Sequence, residues 1–141
     1  MKKYLLAFLF LPMLAASTFA QYDQGDWQHD YVDPTGRNEM SGVKVWFKLE
    51  TCNQQGVVLL KFENSNAYQV ELSWENAVFK KNLKWSAYKP ERSQFTVAAN
   101  QTVEGDCNSD NALAVPLSDF SVKPEEFERL TTQELIVNPI R

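Results

Sequence analysis

The sequence predicts an all-β fold, an immunoglobulin-like antiparallel β-sandwich of about seven short strands with one short helical turn near the C-terminus. Three observations carry that expectation. Val43, Val45, Phe47 and Leu49 are apolar at every second position, and Tyr68, Val70, Leu72 and Trp74 repeat the pattern against Gln69, Glu71 and Ser73. Successive strand side chains point to opposite faces, so each run makes one apolar and one polar face, and the apolar face needs a second layer to cover it. Similar short runs recur down the chain with turn residues between them, and only Pro124-Glu125-Glu126 carries the chemistry of a helix start.

The chain opens on Met1-Lys2-Lys3, runs apolar from Tyr4 to Leu14 and then turns small through Ala20. A positive start, an apolar core and a small-residue exit are the order of a secretory signal peptide, so residues 1–20 are expected to be a leader cleaved after Ala20, with cleavage after Ser17 as the alternative. The apolar run falls short of the about 20 residues a membrane span requires, so stable insertion is not expected. Residues 21–41 form a polar, acidic arm or linker. Trp27, Tyr31 and Val32 are too apolar for a free tail, and a short strand or docked segment at 27–32 would account for them. Residues 42–141 are expected to make the sandwich.

Within that domain the first strand is expected at 43–50. The second, at 57–63, begins with Val57, Val58, Leu59 and Leu60, apolar on both faces, as a central or doubly covered strand would be. Asn64-Ser65-Asn66 supplies turn chemistry, and a third strand at 67–75 completes an antiparallel meander. Most of Phe47, Phe62, Tyr68, Trp74, Phe79 and Phe95 are expected in the core, because they fall on the apolar side of their strands. Short strands follow at 78–80 and 83–88, the latter ended by Pro90, then at 94–99 and 112–117. A helical turn at 124–130 docks Phe127 and Leu130, and a last strand spans 134–138.

Of 14 basic and 18 acidic residues only Lys2 and Lys3 lie in the leader, so the exported chain carries a net charge of −6. Such a chain repels phosphate backbones, and nucleic acid is not an expected partner. Cys52 and Cys107 are the two cysteines, and an isolated pair in an oxidising compartment is expected to form one disulfide. Two thiols with no neighbouring histidine make a poor metal site. Asp23, Asp26, His29, Asp30 and Asp33 are the right ligand types, but their spacing matches no metal motif. Asp106-Cys107-Asn108-Ser109-Asp110 begins like a calcium loop, yet Asn111 and Leu117 stand where glycine and a bidentate glutamate belong. No metal, no cofactor and no catalytic residue is expected.

Trp46 is the exception to the alternation. Val45 and Phe47 face inward, so Trp46 points to the polar side between Lys44 and Lys48. A neighbouring segment, 27–32 or Trp85, covers it, or it anchors a protein or glycan partner, with Lys44, Trp46 and Lys48 as the contact residues.

The stretch Leu60-Lys61-Phe62-Glu63-Asn64 through Ser73-Trp74, followed by Gln101-Thr102-Val103-Glu104-Gly105-Asp106-Cys107, resembles small exported bacterial β-sandwich proteins of unassigned function. The resemblance covers about half the chain and rests on a hairpin, a core tryptophan and a disulfide loop. It implies a fold and a compartment, periplasm or medium, and no catalytic residue. The expected function is a non-enzymatic binding module. The alternative is a small carbohydrate-active or metal-dependent enzyme whose site is built from scattered carboxylates.

Overall fold

A computed structural model describes residues 26–81, 87–109 and 111–141. The expected leader at 1–20, Trp85 and most of the expected 83–88 strand lie outside them. The described chain is all-β in two antiparallel sheets. Its strands are β1 (Gln28–His29), β2 (Glu39–Met40), β3 (Val43–Cys52), β4 (Gln55–Asn64), β5 (Val70–Lys80), β6 (Ala87–Val97), β7 (Thr102–Glu104), β8 (Ala114–Pro116) and β9 (Phe127–Pro139). Among the described residues no helix is long and apolar enough to cross a membrane.

The six-stranded sheet is built on the β3–β4 hairpin. Pieces of the arm, β1 and β2, pair with the outer edge of β3, and β7 and β8 share the outer edge of β4. Thus β4 is central, and its outward Val57 and Leu59 are buried beneath Trp27 and Ala114, which explains a run apolar on both faces. The smaller sheet has the order β6-β5-β9. Inward residues of the two sheets make one core: Val45, Phe47, Leu60 and Phe62 from one side, Leu72, Trp74, Val78 and Leu130 from the other. Trp74 is fully buried, 4.9 Å from Phe62 between ring centroids, and its Nε1 donates to Asn76 Oδ1 at 3.0 Å. A buried indole N–H needs such an acceptor.

The expected three-stranded meander is corrected. β3 and β4 pair, but β5 joins the other sheet. Alternation dictates which side chains turn inward, and two strands facing each other across a core satisfy it as well as two side by side. The crossing is made at Asn64, 1 % exposed, whose Nδ2 donates to the carbonyls of Tyr68 and Ala98 at 2.9 and 3.0 Å while Oδ1 accepts the Asn66 N–H at 3.0 Å. The turn chemistry read from Asn64-Ser65-Asn66 is real, and it links two layers. Tyr68 lies in this crossing before β5 begins, so it is exposed, not core.

Other boundaries move for local reasons. The expected strands at 67–75 and 78–80 are one strand, β5, and Phe79 points outward because Val78 points in. Pro90 does not end β6. It sits where the β5–β6 register shifts between Glu75 and Asn76, on an edge strand, where a missing N–H breaks no ladder. The helical turn at 124–130 shrinks to a 3₁₀ turn, Pro124–Glu126, with proline in its first turn as expected, and β9 starts at once at Phe127. A second 3₁₀ turn, Leu117–Phe120, buries Leu117 and Phe120.

The disulfide is formed: Cys52 at the end of β3 bonds to Cys107, 55 residues on, with the Cα atoms 5.3 Å apart. Gly105 leads into that loop. Its N–H donates to Leu60 O at 2.9 Å, and a side chain there would collide with the backbone carbonyl of Leu113. Only a glycine lets the loop fold back this closely.

Candidate functional site

The expected contact residues Lys44, Trp46 and Lys48 lie together on the outer face of β3, all half-buried. Backbone register decides what surrounds them. Trp46 is opposite Lys61 on β4 and opposite His29 on β1. Two residues before His29, Trp27 falls on the same outward face.

The result is a stacked array. The ammonium of Lys61 lies 4.7 Å from the ring centroid of Trp27 and 4.8 Å from that of Trp46, and Lys48 sits 5.0 Å from Trp27. His29 meets Trp46 edge-on at 6.2 Å. A cation over an indole face contributes about 0.5–1 kcal/mol at a surface position, so two rings sharing one lysine hold each other in place. Lys48 and Lys61 also approach Glu50 and Glu104 at 3.8 and 3.7 Å, distances at which exposed pairs contribute little.

Of the two expectations for Trp46, the covering segment is present in part. The arm at 27–29 lies beside the indole, and Trp46 keeps part of its surface exposed between cations. Lys61 is the site residue that sequence reading missed. It belongs to the polar face of β4, but only the β3–β4 register places it between the tryptophans.

Asp23 lies outside the described residues, and the described acids of the arm do not converge. Asp30 is fully buried: its backbone N–H donates to Val45 O at 3.1 Å, and its carboxyl accepts the N–H groups of Tyr31 and Thr132 at 2.7 and 3.0 Å. Burial pushes its pKa up to about 7, against the hydrogen bonds from Thr132 and Tyr31 and the charge of Arg129. Asp33 closes its own turn by accepting from the Thr35 hydroxyl and N–H and from Arg37, and these bonds, the Thr35 hydroxyl first, lower its pKa to about 2. Asp106 likewise accepts from Asn108 N–H and the Ser109 hydroxyl within its loop. Among the described residues no three metal-ligating side chains meet.

Glu75 and Glu134 do meet, at Arg92. Its Nη1 reaches them at 3.3 and 3.5 Å, Nε donates to Ser73 Oγ at 2.9 Å, and Nη2 donates to the carbonyls of Ser73 and Glu134 at 2.9 and 2.8 Å. One guanidinium thus spans all three strands of the smaller sheet at the bulge where Glu134 takes φ +49°. The pair of carboxylates is a clamp around a cation.

Fold and site define a class: a small two-layer all-β protein, stapled by one disulfide, with an aromatic–cationic array on one outer face. Compared with protein-family models, curated proteins and solved structures, the chain matches none of them.

Proposed function

We propose that this chain is an exported, non-enzymatic binding module of immunoglobulin-like architecture, akin to the exported bacterial β-sandwich proteins it resembles. Its interaction surface is the outer face of the six-stranded sheet. Trp46 is the anchor, and Lys44 and Lys48 attract an acidic protein or glycan partner. The observation that carries the reading is the partly exposed Trp46 braced by Lys61 against Trp27. An aromatic ring held rigid before binding loses little entropy on contact, and such rings are over-represented among residues that dominate binding energy. The Cys52–Cys107 bond fits an oxidising compartment and supports export.

The test is capture of partners from the envelope fraction of the source cell by immobilised mature protein, with Trp46→Ala as the comparison. The variant should melt close to wild type and capture its partner at least tenfold more weakly, about 1.4 kcal/mol or more. A folded Trp46→Ala protein that captures the same partner equally well would remove Trp46 as anchor. Unfolding of the variant would make it a packing residue.

A further inference from the structure

The second outer face of the molecule holds a cavity of about 700 Å³ between the loop 31–36 and strand β9. Three of its polar walls follow from strand geometry. Arg129, Thr131 and Gln133 alternate along β9 and face outward in a row, because Leu130 and Thr132 between them turn in or are buried. The opposite wall is the loop, with Tyr31, Val32 and Pro34, and Phe79 of β5 completes the lining. Volumes of several hundred Å³ with a mostly apolar wall and a few convergent polar groups are typical of small-ligand sites.

Charge decides what such a site would hold. The acids at its rim are already engaged, Asp33 with Arg37 and Glu134 with Arg92. Arg129 makes no salt bridge with any described residue, and the acid its charge acts on is the buried Asp30 behind it in the fold, whose carboxyl is already held by the N–H groups of Tyr31 and Thr132. The Arg129 guanidinium lies 4.5 Å from the ring centroid of Phe79 and 5.3 Å from that of Tyr31. A guanidinium held beside aromatic rings keeps N–H groups for hydrogen bonds, in the fork that matches a carboxylate. Two donors there have no protein partner: Arg129 Nε and Thr131 Oγ1 are both buried and make no hydrogen bond, and Thr131 is 94 % buried by its 6 % exposure. Buried donors of this kind are normally satisfied.

We propose that this cavity binds the carboxylate of a molecule with an apolar body, the head on the Arg129 edge and the Thr131 hydroxyl, the body along Tyr31, Pro34 and Phe79. The site is separate from the tryptophan array and does not rest on it. A free amphiphilic acid and the C-terminus of an apolar peptide present the same chemistry.

Titration of isotope-labelled mature protein, followed by amide chemical shifts, tests the proposal with four probes: octanoate, octan-1-ol, and a short leucine-ending peptide as free acid and as amide. Octanoate or the free-acid peptide should saturate with shifts centred on Tyr31, Gly36, Arg129, Thr131 and Gln133, and its neutral counterpart should bind at least tenfold more weakly. Response to octanoate assigns a free acid; response to the peptide alone assigns a chain terminus. Arg129→Gln should lose at least tenfold. Thr131→Val, which keeps the shape of the side chain, should melt no lower than wild type and bind several-fold more weakly. Equal binding of acid and neutral probes, absence of saturable shifts at the cavity, or unchanged acid binding by folded Arg129→Gln would overturn it.

Discussion

The carboxyl of Asp30 accepts the backbone N–H of Thr132 at 3.0 Å, across 102 residues of sequence. Asp30 sits at the edge of the six-stranded sheet, bonded through its own N–H to Val45 of β3. Thr132 is on β9, the edge of the three-stranded sheet. One buried side chain therefore ties the two sheets together along one side and satisfies an edge N–H that would otherwise be orphaned.

This tie makes stability depend on pH with a definite sign. The folded pKa of Asp30 is raised from 3.8 to about 7, so between those values the folded chain holds a proton that the unfolded chain has released. The contribution is complete below about pH 4, falls as pH rises towards 7, and is gone above it, with a slope of at most about 1.4 kcal/mol per pH unit. Asp33 and Glu126 shift downward, and their contribution is already complete above about pH 4.5, so they do not act in this window. Urea unfolding at pH 5, 6, 7 and 8 should show wild type losing stability up to about pH 7 and then levelling. Asp30→Asn should abolish the slope whatever its absolute stability. A wild type equally stable at pH 5 and pH 7 would contradict a buried, protonated Asp30.

Trp74→Ala should cost about 3–5 kcal/mol, the usual range for truncating a large buried aromatic. Trp74 has no exposed surface and packs at a tilt against Phe62, and its removal also strands Asn76 Oδ1. A variant melting within two or three degrees of wild type would be inconsistent with this core.

Reduction of Cys52–Cys107 releases a loop of 55 residues. The chain-entropy model gives about 4 kcal/mol for a loop of this span. The melting temperature should fall by roughly 10 °C or more, and non-reducing peptide mapping of native protein should recover no free thiol.

Arg92→Ala should destabilise by about 1–3 kcal/mol, because Glu75, 8 % exposed, and the carbonyls of Ser73 and Glu134 lose the donor that satisfies them. Arg92→Lys should not restore stability. An ammonium cannot reach Ser73 Oγ, the carbonyls of Ser73 and Glu134 and both carboxylates at once, as the guanidinium fork does. Denaturant midpoints of the two variants close to each other and well below wild type are the expected result.

What the sequence determined by itself is local. The facing of Val45, Phe47, Leu72 and Trp74 follows from a period of two that any extended chain obeys. The turn at Asn64, the proline that starts the 3₁₀ turn at 124 and the pairing of the two cysteines rest on side-chain chemistry or on simple arithmetic. Tertiary structure decided everything lateral. Alternation does not say which sheet a strand joins, so β5 crossed to the second layer at Asn64, Pro90 was absorbed by a bulge, and Phe79 turned outward into a cavity. Nor does local pattern bring together residues far apart in the chain. Trp27, Trp46 and Lys61 meet through the register of β1, β3 and β4. Arg129 finds Tyr31 and Phe79 only once β9 lies beside β5 and the arm has docked. Asp30 gives no sequence signal at all, being one acid among several in a polar arm. Its burial, and the pH dependence that follows, come from the hydrogen bond donor that β9 presents to it from the far end of the chain.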